Sequence, residues 1–228
     1  MKGVLNTTRP SRKKPIRWLG RGLVLVLLIW IVADVVVPRK HSLRQFDPAE
    51  VARLETAMWR SYYEKKPVLL FWQLAGGLRQ QFQAPFWKSF GLAFQATRAA
   101  FVFKQGQSRV DYGRALPILT DYYQSIQELS REQFDVHEVA ALELDWWVVH
   151  RQRNRYSYSD LAVALARTSA ALYSRSAPKF TTYAQLRTNA MQLCDDAGKH
   201  MGGASEADWQ QIGQVLNQAW GNLHEVVQ

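Results

Sequence analysis

The sequence predicts an all-α protein: an N-terminal transmembrane helix, then a helical bundle or short solenoid of about seven to eight helices with an internal duplication. Three observations predict it. Residues 22–38 form a nearly uninterrupted apolar run. Residues 46–64 (FDPAEVARLETAMWRSYYE) and 134–152 (FDVHEVAALELDWWVVHRQ) agree at eight of nineteen positions, a repeat at a spacing of eighty-eight. Helix start and stop signals recur along the rest of the chain, and no stretch alternates polar and apolar residues as a strand would.

Residues 1–21 are a basic tail. Residues 1–40 hold nine Lys/Arg against one acid, Asp34, whereas residues 41–228 hold twenty against eighteen. The excess charge therefore belongs to a short segment beside the apolar run, and nucleic-acid binding, which wants a concentrated basic face on the folded domain, is not expected. Residues 22–38 read as a transmembrane signal anchor. Seventeen residues at ~1.5 Å each give about 25 Å, just short of the ~30 Å hydrocarbon layer. Trp18 and Leu19 extend the span, with Arg21 snorkelling outward and Asp34 reaching the far head groups. A cleaved signal peptide fits less well, because IVADVVVPRK offers no small-x-small site. Seven Lys/Arg precede the apolar core and Arg39, Lys40 and Arg44 follow it, which favours a cytoplasmic N-terminus and a domain on the opposite side.

After a linker at 39–45, residues 46–228 form the helical domain, in tandem halves 46–130 and 134–228. Asp47-Pro48-Ala49-Glu50 starts the first helix: an N-cap aspartate, a first-turn proline, and a glutamate three residues on. Helices follow at Pro67–Gln83 and Pro85–Lys104, then a break at Gln105-Gly106-Gln107. A fourth runs from Arg109 to Leu129, with Pro117 as a kink. Asp135 and Glu138 repeat the first cap. Further helices lie near Ser159–Ser174 and Thr182–His200, and a last one starts after Ser205, past Gly202-Gly203. The last helices of the two halves also correspond at a spacing of ninety-seven, with Asp111-Tyr112 and Tyr123 falling on Asp208-Trp209 and Trp220. Gly76-Gly77 implies either a close backbone approach or a break. The tryptophans at helical spacing read as core.

Chemistry is sparse. The single cysteine, Cys194, excludes an intrachain disulfide and a Cys-type zinc site, and it reads as a small half-buried side chain. There is no Walker loop, no Gly-x-Gly-x-x-Gly after a strand and no nucleophile elbow. His41, His137 and His200 read as solvated. What stands out is a glutamate inside each repeated apolar stripe. Val51, Leu54, Glu55, Met58, Trp59 and Tyr62 share one face, and Val139, Leu142, Glu143, Trp146, Trp147 and His150 share its copy. A charge there needs a partner or must be neutral. Were the two helices to face each other, Glu55, Glu143, Tyr62 and His150 would converge, with His224 joining from the last helix. Three readings follow: hydrogen-bonded structural glutamates, a metal site, and acid/base or ligand chemistry. The metal reading lacks the Glu-x-x-His motif of di-iron bundles, and Glu143 to His150 spans about 10.5 Å along a helix.

The strings MWRSYYEKKPVLLFW, AAFVFKQG with DYGRALPILTDYYQSI, and LELDWWVVHRQRNRYS, above all Trp-Trp-x-x-His-Arg, resemble an uncharacterised family of single-pass helical membrane proteins of cyanobacterial type. The resemblance covers most of 46–228. It implies a plasma-membrane or thylakoid host and supplies no catalytic residues. The expectation is a membrane-anchored interaction or assembly module, with lipid contacted through 22–38, a protein partner at the membrane and no cofactor. The alternative is a metal- or small-ligand-binding helical-bundle enzyme with a Glu/Glu/His site.

Overall fold

The computed structural model describes residues 14–37 and 39–228, with side chains from Gly20 onward. The basic tail before Lys14, the side chains of Trp18 and Leu19, and Pro38 lie outside the described residues. Helix α1 (Lys14–Val36) belongs to one unit and everything from residue 39 to a second. Among the described residues no helix is long and apolar enough to cross a membrane.

The second unit comprises α2 (Pro48–Tyr63), α3 (Pro67–Phe82), α4 (Phe86–Gln105), α5 (Arg109–Gly113), α6 (Leu116–Leu129), α7 (Val136–Arg151), α8 (Tyr158–Tyr173), a 3-10 turn (Ala177–Phe180), α9 (Thr181–Ala197) and α10 (Glu206–Val227). Each long helix packs on its neighbours in the chain, and α10 returns to pack on α2. The long helices therefore close into a ring. That closing contact makes the domain a bundle and not an open solenoid. Short connections keep successive helices antiparallel. The interior is one apolar cluster, with Leu92, Leu119, Ile126, Leu161, Phe180, Ile212, Leu216 and Leu223 all but sealed from water. Each such side chain contributes about 1.5–3 kcal/mol.

The two similar segments open alike in the local structure. Asp47 accepts the N–H groups of Ala49 and Glu50, and Asp135 those of His137 and Glu138, with near-identical cap dihedrals. Glu50 does not reach back to close a capping box; it pairs with Arg53 instead. α5 and α10 each open with a complete Ser–Asp capping box, Ser108 with Asp111 and Ser205 with Asp208, again ninety-seven apart.

Three expectations change. The helix expected over Arg109–Leu129 is two, α5 and α6, because Pro117 has no N–H to give the Gly113 carbonyl and restarts the chain as a first-turn proline. Its counterpart α10 carries Gln214 at that place and runs unbroken. Gly76 and Gly77 neither break α3 nor mark a close approach: a Cβ on Gly76 would meet Leu54 at an ordinary 3.7 Å, and one on Gly77 would meet nothing. Nothing in the structure explains this pair. The 39–45 segment is not a free linker but a strap. His41 N–H donates to the Leu129 carbonyl at 2.7 Å, and Arg131 N–H to the His41 carbonyl at 2.9 Å. Ser42 Oγ and the Leu43 N–H both donate to the Glu132 carboxylate, and Leu43 is buried. Gln228 Nε2 donates to the Arg44 carbonyl at 2.7 Å, tying the strap to the end of α10. His41 thus has a backbone role and is not simply solvated.

Candidate functional site: two buried carboxylates at the seams of the ring

Glu55 lies on the core face of α2 and is 7% exposed. Arg187 Nη2 on α9 donates to its Oε1 at 2.6 Å, and Trp220 Nε1 on α10 donates to its Oε2 at 2.6 Å. Glu143 on α7 is half-buried. The Tyr123 hydroxyl on α6 donates to its Oε2 at 2.8 Å, and Trp147 Nε1, one turn along α7, donates to its Oε1 at 3.0 Å. In each repeat the leading phenylalanine packs edge-on against the aromatic donor: Phe46 on Trp220 (5.8 Å, 84°) and Phe134 on Tyr123 (6.4 Å, 86°). The two sets, Phe46–Glu55–Trp220 and Phe134–Glu143–Tyr123, are the same device used twice. Trp220 and Tyr123 are the pair matched at ninety-seven residues.

The two places are two helix seams of the ring, α10 against α2 and α6 against α7. Glu55 ties α2 to α9 and α10, where the ring closes. Glu143 ties α7 to α6, where one half passes into the other. Arg187 serves both: burial alone would lower its pKa, but the charge of Glu55 and, further off, that of Glu143 outweigh this and raise it. The guanidinium also lies 5.9 Å from the Trp146 ring centroid. Burial and the Glu143 charge push the Tyr123 hydroxyl well above its ordinary value, so it remains a donor across the physiological range.

The remaining candidates are elsewhere. Tyr62 is exposed at the end of α2 and packs edge-on against Tyr63, because its place two turns past Glu55 falls beyond the ring's interior. His150 Nε2 stands 3.6 Å from Asp195 Oδ2 on α9, an ion-pair separation longer than a hydrogen bond, and does not join Glu143. Tyr158 OH donates to the same Asp195 oxygen at 3.0 Å. Burial works against the Asp195 charge, but the His150 imidazole and the Tyr158 hydroxyl hold its carboxyl below the usual range. His224 lines an open hollow with Gln45, Phe46, Arg79 and Gln228, its ring 5.2 Å from Phe46. So Glu55 and Glu143 share one electrostatic neighbourhood through Arg187, and Tyr62, His150 and His224 stay outside it. Among the described residues no group of three His, Cys, Asp or Glu is placed to hold a metal ion. Cys194 is fully buried, and burial, with Asp195 beside it, pushes its thiol up to about 12.

Sequence reasoning missed Arg187. It stands in the α9 stripe between the buried Tyr183 and Met191, one turn from each. A lone arginine inside an apolar stripe is the same signal that flagged the glutamates.

Chemically, all four carboxylate oxygens accept bonds from the chain itself. Proton transfer to a ligand would require breaking them, whereas holding helices in register requires only that they persist. Comparison with family models, with curated proteins and with solved structures finds no match for this chain.

Proposed function

We propose that this chain is a membrane-anchored helical module that holds or assembles a protein partner at the membrane and performs no chemistry of its own. The observation that carries this reading is the saturation of Glu55 and Glu143 by Arg187, Trp220, Tyr123 and Trp147, which commits the domain's polar interior to its own architecture. The apolar run at 22–38 behind a basic tail supports anchoring, with the N-terminus cytoplasmic, the domain on the opposite side, and the plasma membrane or thylakoid as host. The strap at 39–45 supports a positioning role, because hydrogen bonds at His41, Ser42 and Leu43 fix how the chain enters the domain. Gentle detergent extraction followed by affinity capture of the full chain should recover a stoichiometric protein partner. A chain that comes out alone under those conditions refutes the reading.

A further inference from the structure

We infer that the outer face of α3 and α4 is a docking surface for an anionic lipid bilayer. The charge pattern comes first. Between Glu64 and Asp111 there is no acidic residue, while Lys65, Lys66, Arg79, Lys88, Arg98, Lys104 and Arg109 give seven positive charges. Residues 41–228 carry only two positive charges net, so the rest of the domain is net negative and the basic excess sits on this helical pair and the residues that flank it. Lys66 pairs with Glu64, Lys88 with Glu128 and Arg109 with Asp145. Lys65, Arg98 and Lys104 are exposed, and none has an acidic partner within ion-pair distance among the described residues.

Large apolar side chains share this face. Trp72 is 53% exposed, Phe94 61%, Phe101 63% and Val68 73%, with Leu69 beside them. Two contacts fix the register of the antiparallel pair: Trp72 meets the Phe90 ring at 4.8 Å, and the Arg79 guanidinium lies 5.1 Å from the Phe86 ring centroid. That register sets Val68 and Leu69 level with Phe94 and Lys65 level with Arg98, with Phe101 about one turn further along α4. On α4, Phe90, Phe94 and Phe101 follow i, i+4, i+11 and lie along one stripe. The face is therefore continuous: tryptophan and phenylalanine in the middle, unpaired lysine and arginine at its margin. Tryptophan and phenylalanine suit the boundary between head groups and acyl chains, and each basic residue near an anionic surface adds about 1 kcal/mol. A protein groove complementary to this face would need acidic groups arranged around an apolar floor; an anionic leaflet supplies negative charge over an apolar interior without such matching.

The test uses the full chain with Phe94→Cys in a Cys194→Ala background, labelled with a polarity-sensitive fluorophore, and Gln210→Cys on α10 as the control site. Reading the label at 94 separates this face from α1 and the basic tail, which can bring the chain to a membrane without it. In vesicles of phosphatidylcholine with about a third phosphatidylglycerol, the label at 94 should shift to the blue and be quenched by lipid-borne quenchers, while the label at 210 should do neither. Arg98→Gln with Lys104→Gln should weaken that contact by roughly fivefold per charge removed. Val68→Cys, labelled in the same way, repeats the reading at an independent position should Phe94→Cys fold poorly. A water-like label at 94 and 68 on chains that sediment with the vesicles overturns the proposal. So does a shift of equal size on purely neutral lipid. A shift that grows with protein concentration in the absence of lipid overturns it too, and assigns the face to a second copy of the chain.

Discussion

Removing the Arg187 guanidinium tests the seam device most directly. Arg187→Met keeps the length and much of the apolar stem but leaves Glu55 with a single donor, Trp220, in a site where the glutamate is 7% exposed and the arginine side chain 21%. Breaking a buried pair from one side costs about 3–5 kcal/mol. The partial exposure of the arginine places this site at the lower end, about 3 kcal/mol. At roughly 2–4 °C per kcal/mol for a domain of this size, thermal unfolding should move down by about 6–12 °C. Glu55→Gln should cost a similar amount, about 3 kcal/mol, because an amide oxygen that accepts from Trp220 turns its NH2 group against the Arg187 guanidinium, donor against donor. The informative variant is the double one, Glu55→Leu with Arg187→Met. It removes the stranded charge and should be less destabilised than the sum of its singles by at least ~2 kcal/mol. The assay is urea or thermal unfolding of the detergent-solubilised chain, followed by near-ultraviolet circular dichroism, with the cycle closed by the single Glu55→Leu. An Arg187→Met variant within about 0.5 kcal/mol of the parent, or additive singles, refutes the argument.

Three shorter predictions concern other parts of the fold. Cys194 is buried with its thiol pushed up to about 12, so at about pH 8 it stays a thiol. It should resist a disulfide reagent in the native chain and react promptly in urea; fast native labelling would contradict the burial. Glu132 is held below its ordinary value because the Ser42 hydroxyl and the Leu43 N–H outweigh the effect of burial, which by itself would raise it. Its contribution is therefore complete above the usual carboxylate range and lost as pH falls through the depressed value, so cooling of the unfolding midpoint between about pH 5 and pH 3 should be smaller in Glu132→Gln than in the parent. Equal pH dependence in both chains would remove the strap from the account. Arg175 donates to the Val226 and Val227 carbonyls at 2.7 and 3.0 Å, capping α10 where its last carbonyls lack helical partners. Arg175→Ala should cost about 1.5–3 kcal/mol in the same unfolding assay, and a neutral result would mean that water satisfies those carbonyls equally well.

How far the sequence speaks for the structure depends on the range of the interaction. Caps are local: Asp47, Asp135 and Ser205 announce their helices because side chain and backbone partner are two or three residues apart. The apolar stripes are nearly as local, and Glu55 and Glu143 stand within them, one buried and one half-buried. The direction in which each carboxylate finds its donors is not local. Arg187 is 132 residues from Glu55 and Trp220 is 165, so only the closed ring brings them together. The convergence expected of Tyr62 and His150 failed for the same reason. Shared helical periodicity gives a face, but two turns along that face is another neighbourhood, and His150 meets Asp195 from α9. Trp72, expected in the core, is half exposed, since a helix in a ring has both an inner and an outer face and α3 is apolar on both.

The two seams each centre on a carboxylate held by aromatic donors but are tied unequally, and the inequality should be measurable. At the closing seam both donors to Glu55 come from other helices, so each bond fixes how α2 sits against α9 and α10. At the other seam Trp147 belongs to the same helix as Glu143, so only the Tyr123 bond crosses between helices. Apolar packing of helix on helix tolerates a slip of one turn at modest cost, whereas a carboxylate facing donors on different helices accepts one register. Trp220→Phe removes a donor from a nearly sealed carboxylate and leaves a gap at a fully buried site, at about 2–4 kcal/mol. Tyr123→Phe keeps the ring, and water can reach the half-buried Glu143, so the loss should be near 1 kcal/mol. Thermal unfolding of the two variants beside the parent checks the order. If Tyr123→Phe proves the more damaging, the α10–α2 contact is not where the ring is held shut, and the stronger tie lies between the halves.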